Sequence, residues 1–203
     1  RAKRAKTYRC QTEALEAREL LAGDLVGHWV ADSLTSLGES QVEAWLDEVH
    51  QVPATRAAGS PQLVSDQIGG RSVIRFDATD GGDALSVSSR VNPLAGADDF
   101  SVVVAFSTES SELVGGNDEW FKNTGLVDSS SQGFGKDWGI SINAAGQAAF
   151  GISGGFGQPS RTVYTNVVGM NDGQLHIDTA TRKGSELSLQ VDNLPAHTIQ
   201  HAD

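Results

Sequence analysis

Three aspartates lie within seven residues in Asp77-Ala-Thr-Asp80-Gly-Gly-Asp83. Calcium is held by several hard oxygens on a flexible loop, so Asp77, Asp80 and Asp83 are candidate metal ligands and calcium is the candidate ion. The EF-hand spacing is absent. A second reading of the same residues is structural, because short carboxylates bond to nearby backbone N–H groups and cap turns. The other chemistry-bearing residues are aromatic. Trp120 and Phe121 fall in the polar stretch Gly115–Thr124, and Phe134 and Phe156 fall in glycine-rich segments with Arg161 close by in sequence. A rigid ring on a polar loop is the kind of group that anchors a ligand. Trp120 reads equally well as a buried lid over a sheet edge. Trp29, Trp45 and Trp138 occupy strand-like positions and read as core.

Other constellations carry less. His197 and His201 are four apart but follow Pro195, where no helix is assured and the chain end is expected to fray. His176 alternates with Leu175 and Ile177, which places it on the solvent or groove face of a strand. Gly133-Phe-Gly-Lys136-Asp137 lacks both the spacing of a phosphate-binding loop and the Ser or Thr that would hold magnesium.

Elements that position these residues must be sought in a chain of 203 residues with a net charge of −11. Six of the 15 Lys+Arg lie in residues 1–19 beside three acids, leaving nine bases against 23 acids thereafter. A basic head on an acidic body marks a leader, tail or docking arm. The acidic body argues against duplex nucleic acid, whose affinity comes from phosphate neutralisation by Lys and Arg. One cysteine, Cys10, excludes an internal disulfide framework. The longest apolar runs, such as Phe100–Phe106, are far short of the roughly 20 residues that a membrane-spanning helix needs. Within residues 1–23, the stretch from Gln11 predicts one short amphipathic helix ended by Gly23.

From Asp24 onward the apolar residues alternate with period two. Short β-prone runs at 26–31, 42–46, 72–76, 85–88, 100–107 and 125–128 are bounded by Gly, Asn, Asp, Ser or Pro. Runs at 138–143 and 147–152 flank Ala-Ala-Gly, and runs at 175–181 and 186–192 flank Arg-Lys-Gly-Ser, so each pair predicts a hairpin. Leu187, Leu189 and Val191 share one face, with Ser188 and Gln190 on the other. Such alternation buries one face and wets the other, as an antiparallel sandwich requires. The fold class expected for 24–203 is all-β.

Two resemblances sharpen this. Basic residues followed by Glu13-Ala-Leu15-Glu16-Ala-Arg18-Glu-Leu20-Leu21-Ala22-Gly23 resemble the LEPxLL-type leader of large bacterial secreted and surface proteins, with Ala in place of the usual Pro; an ordinary N-terminal helix with a basic tail is the alternative. Over the body, His28-Trp29-Val-Ala31-Asp32-Ser33, Val42-Glu-Ala-Trp45-Leu-Asp47, Pro61-Gln-Leu63-Val64 and Ser72-Val73-Ile-Arg75-Phe76-Asp77 occur in the order seen in bacterial laminin-G-like domains. These belong to the concanavalin A-like lectin/glucanase superfamily. Asn171-Asp172-Gly173-Gln174-Leu175-His176, with Leu187–Asn193, is similar to that family's NDGxWH…LxLYVDG hairpin. Leu175 replaces its Trp, and Asn193 replaces its Gly at a turn that Asn tolerates.

The resemblance implies a two-sheet antiparallel jelly roll over 24–203 whose C-terminal strands lie beyond Asp203, leaving an unpaired sheet edge. It implies a structural role for His176, turn-capping roles for the Asp77–Asp83 carboxylates, and calcium at a loop rim in many members. Glucanases of the superfamily carry E-x-D-x-x-E. Glu43, Asp47 and Glu48 lack that spacing, and Glu109, Glu112, Asp118 and Glu119 do not supply it either. The function implied is a non-catalytic carbohydrate- or protein-binding adhesion module of a larger secreted or cell-surface bacterial protein. Its partners would be a glycan or an extracellular protein, with further domains downstream and no transmembrane segment. A polysaccharide-active hydrolase and a structural spacer are the alternatives.

Overall fold

The computed structural model describes residues 24–37, 40–78, 82–110, 119–129, 137–154 and 160–200. The helix expected within 1–23, together with Asp80, Phe134, Phe156 and His201, lies outside them.

The sandwich is built from the strongest alternating segments. One sheet has the order β13-β12-β11-β6, from β6 (Phe100–Phe106), β11 (His176–Lys183), β12 (Glu186–Val191) and β13 (His197–Gln200). The other has the order β10-β9-β8-β7, from β7 (Thr124–Ser129), β8 (Trp138–Ile142), β9 (Ala148–Ile152) and β10 (Arg161–Tyr164). Every ladder is antiparallel. The two sheets enclose Phe100, Phe106, Trp138, Ile140, Ile142, Phe150, Val163, Leu187, Leu189 and Val191. β12 packs on β9, so Leu187 and Leu189 lose all contact with solvent. Removing a side chain of that size from water contributes roughly 2 kcal/mol. Phe100 meets Trp138 at 5.1 Å between ring centroids and Phe150 edge-on at 6.3 Å. The all-β antiparallel sandwich is therefore the fold, in keeping with the jelly-roll expectation.

Burial fades toward one side. Val102 and Val104 of the edge strand β6, and Leu126 and Val127 of β7, pack against the core yet stay partly exposed. On the opposite side the two sheets are stitched by His197 of β13, whose Nδ1 bonds the carbonyl of Tyr164 on β10. The chain end expected to fray after Pro195 is instead a strand, because His197–Gln200 pairs along Glu186–Leu189.

Residues 24–87 form smaller sheets of their own. A 3-10 helix (Ala31–Leu37) precedes β1 (Ala44–Leu46), β2 (Pro53–Ala58), β3 (Gln62–Ile68), β4 (Arg71–Arg75) and β5 (Ala84–Val87). β1, β2 and β5 make one sheet and β3 with β4 a hairpin, and no ladder joins either to the sandwich among the described residues. The strand expected at 26–31 does not form. Ser33 turns the chain there by bonding Val30 through its backbone N–H (3.2 Å) and its hydroxyl (2.7 Å), the local competition typical of Ser and Asp. Asp32 then ties this turn to β4 by accepting the Ser72 N–H at 2.7 Å and an Arg71 guanidinium N–H at 3.1 Å. No helix among the described residues is long and apolar enough to cross a membrane.

Candidate functional site

The outer face of the β10-β9-β8-β7 sheet carries Trp120 and Phe121, the two sequence-predicted aromatics that lie within the described residues. On β8 and β9 the inward positions are Trp138, Ile140, Ile142, Ala148, Phe150 and Ile152, so Gly139, Ser141, Ala149 and Gly151 point outward. All four are nonetheless buried. Gly139, Ser141 and Gly151 are covered by Trp120, the first residue of a single 3-10 turn, Trp120–Lys122. Its indole lies so close over Gly139 and Gly151 that a Cβ at either position would fall inside the ring's van der Waals envelope. The turn is pinned to the sheet at two points. Trp120 N–H donates to the Thr162 hydroxyl (3.1 Å), and the Ser141 hydroxyl donates to the Trp120 carbonyl (2.8 Å).

Trp120 thus retains 6% of its surface, with its indole N–H unpartnered, while the next residue, Phe121, is 50% exposed. The two rings meet edge to face with centroids 5.6 Å apart. The Lys122 ammonium stands 5.9 Å from the Phe121 ring centre and is salt-bridged to Glu119 at 2.8 Å. Arg161 opens β10 beside Thr162 and is exposed. Trp120, Phe121 and Arg161 are therefore brought to the same end of one sheet. Of the three, Trp120 is the anchor, and Phe121 and Arg161 are the groups open to a partner. Asp128 of β7 lies opposite Gly139 and is also exposed.

Of the three loop aspartates, Asp77 and Asp83 lie within the described residues and are joined by backbone bonds. Asp83 accepts the backbone N–H of Ser60 through one oxygen and that of Asp77 through the other, the latter at 2.8 Å. Asp83 N–H returns a bond to the Asp77 carbonyl at 2.8 Å. This is turn-capping geometry, and a calcium ion would share Asp83 with two N–H donors. No group of three or more His, Cys, Asp or Glu side chains suited to a metal occurs among the described residues.

His176 differs from the alternation reading in the face it occupies. It lies on the core side of β11, over Phe106 at 5.9 Å between centroids, while Leu175 and Ile177 face solvent. Alternation alone assigned the apolar pair inward; two carboxylates reverse it. His176 Nδ1 bonds Asp192 at 2.9 Å and Nε2 bonds Asp172 at 3.2 Å. Burial opposes the imidazolium, but these hydrogen bonds and the two negative charges win and raise its pKa. Asp192 also accepts the Ile177 N–H at 2.9 Å and is itself the left-handed residue of the turn after β12, at φ 50°, the part expected of Asn193.

Two carboxylates are buried without a sequence signal for it. Asp47 is wholly inaccessible and accepts N–H bonds from His28 (2.6 Å), Val49 (3.0 Å) and His50 (2.6 Å). Burial would raise its pKa, but backbone donors at His28, Val49, His50 and Val52 bring it down to about 2. Asp178, at an inward position of β11, is equally inaccessible, and neither of its oxygens has a hydrogen-bond partner. Burial first, then the charge of Asp192, pushes it up to about 7. Alternation with Leu175 and Ile177 inward set it on the solvent face, and only the register with Val104 and Val191 turns it inward.

Comparison with protein-family models finds none that matches the chain, and comparison with curated proteins finds no match either.

Proposed function

We propose that the chain is a non-catalytic recognition module that binds a glycan or an extracellular protein surface, as part of a larger secreted or cell-surface bacterial protein of laminin-G-like type. The observation that carries this reading is the half-exposed Phe121 ring, held edge-on against an immobilised Trp120 and flanked by Lys122. A ring fixed in advance loses little entropy on binding, which is what a recognition anchor needs. Calcium at Asp77, Asp80 and Asp83 is an accessory to this reading. If it binds, adding it raises the melting temperature, and an unchanged melting curve removes it from the account.

The test is a glycan array and an extracellular-protein panel probed with the wild-type chain, Phe121→Ala and Arg161→Ala. A specific ligand should lose about thirtyfold in affinity with Phe121→Ala, the scale of an interface hot spot, at unchanged melting temperature. Full retention of binding by Phe121→Ala would rule out this rim. Polysaccharide hydrolysis by the wild-type chain, abolished by Asp128→Asn, would favour the hydrolase. Silence in every assay would favour a spacer.

A further inference from the structure

The inward row of β11 is His176, Asp178, Ala180 and Arg182, set against Phe106, Val104, Val102 and Phe100 of β6. A β-sandwich interior seldom tolerates a carboxylate there without a partner, since an unpaired buried charge is among the costliest groups a fold can hold. Asp178 nonetheless sits opposite Val104 on one side and Val191 on the other, with both oxygens unbonded. The ionisable groups around it are few. Strands β6, β8 and β9 carry none. β11 contributes His176 and Arg182, whose Nε is itself buried without a partner. β12 contributes Glu186 at its far end, opposite Lys183; the turn after β12 contributes Asp192, β13 contributes His197, and the β10–β11 connection contributes Asp172.

His176 links two of these by grasping Asp172 and Asp192 together. Asp172 belongs to the connection between β10 and β11, and Asp192 to the turn between β12 and β13. The same two connections, through Thr165–Val167 and Leu194–His197, wall a cavity of about 170 Å³ at this end of the sandwich.

We propose that His176, Asp172, Asp192 and Asp178 form a proton-operated clasp that holds both connections on the end of the sandwich at mildly acidic pH and lets them loosen as the pH rises past neutrality. Below neutrality the imidazolium donates one N–H to each carboxylate, and Asp178 is uncharged in its apolar setting. As the pH rises, the imidazole loses one donor while Asp178 gains a charge on oxygens that have no hydrogen-bond partner.

Both changes act in the same direction. Asp178 and His176 have folded-state pKa values above their ordinary values of 3.8 and 6.5, so their stabilising contributions are complete below those values and are lost as the pH rises through the folded ones. Asp172 and Asp192 are shifted down, Asp172 chiefly by the Gln174 N–H and Asp192 chiefly by His176. Their contributions are lost only as the pH falls through those depressed values. The clasp is tightest between the two limits.

Urea unfolding of the full chain at pH 5.5 and 8.5, for wild type, Asp178→Val and Asp178→Asn, tests this directly. The wild-type folded-to-unfolded ratio should fall roughly thirtyfold over that step, and both variants should lose most of the fall. A wild-type protein equally stable or more stable at pH 8.5 overturns the proposal, as do variants that keep the full pH dependence. Carboxyl NMR titration of the wild type supplies a readout independent of variant folding. One aspartate should titrate near neutrality, its signal absent in Asp178→Asn; titration of every aspartate below pH 5 overturns the clasp.

Discussion

Trp120 shows how neighbouring residues of similar chemistry divide their work. The indole lies over Gly139 and Gly151, so Trp120→Ala removes a buried aromatic and opens that floor to water. Its expected cost is about 3–5 kcal/mol in urea unfolding, against less than about 0.5 kcal/mol for the exposed Phe121→Ala. Equal losses for the two variants would contradict the assignment of anchor and contact residue. Gly139→Ala and Gly151→Ala should destabilise as well, since each added methyl meets the indole ring. Little of this was legible in the sequence. Trp120 and Phe121 were visible as loop aromatics, but which of the two is buried depends on the small side chains of β8 and β9, more than 15 residues away. Asp47 was visible only as an acid with the wrong spacing for catalysis; its real partners are backbone donors, which no side-chain pattern announces. Asp47→Ala should unfold the 24–87 region preferentially, by at least ~2 kcal/mol, because it strands those donors. Circular dichroism combined with Trp29 and Trp45 fluorescence would follow it.

At the scale of elements, period-two alternation located β6, β8, β9, β11 and β12 to within a residue or two, because each is buried on its inner face. It failed for β2, β3, β10 and β13. Pro53–Ala58 lies mostly on the surface, and Arg161–Tyr164 and His197–Gln200 are four-residue strands whose pairing is supplied by their neighbours. Propensity alone cannot nominate such segments. The β6 strand has a different consequence. Its seven residues carry no charge and no proline, and Val103 is 65% exposed. Apart from its ladder with β11, no backbone bond to it occurs among the described residues. That combination favours strand addition from another chain. Val103→Lys should reduce self-association in sedimentation velocity without lowering the melting temperature, and an unchanged association constant would exonerate this edge.

For the molecule as a whole, the composition argument gave a β-rich chain, and the sandwich follows from it. The distribution of strands into a 24–87 region and a 100–200 sandwich does not, since strand pairing across long sequence separations leaves no local mark. Two regions with separate ladders should come apart separately. Brief proteolysis is expected to cut first in the 88–99 connection, and denaturant unfolding to show two transitions. A single transition by both fluorescence and circular dichroism would mean that the regions support each other more than their ladders indicate.

Asp192 joins two roles at a single backbone position. It bends the chain into the left-handed region, where glycine would sit with less strain, and its carboxylate is one of the two jaws on His176. Replacement by glycine would therefore relax the geometry and disarm the electrostatics at once, and replacement by asparagine would keep the bend and lose the charge. Comparing the two separates conformational from ionic contributions at one site, a dissection that the usual alanine substitution would blur.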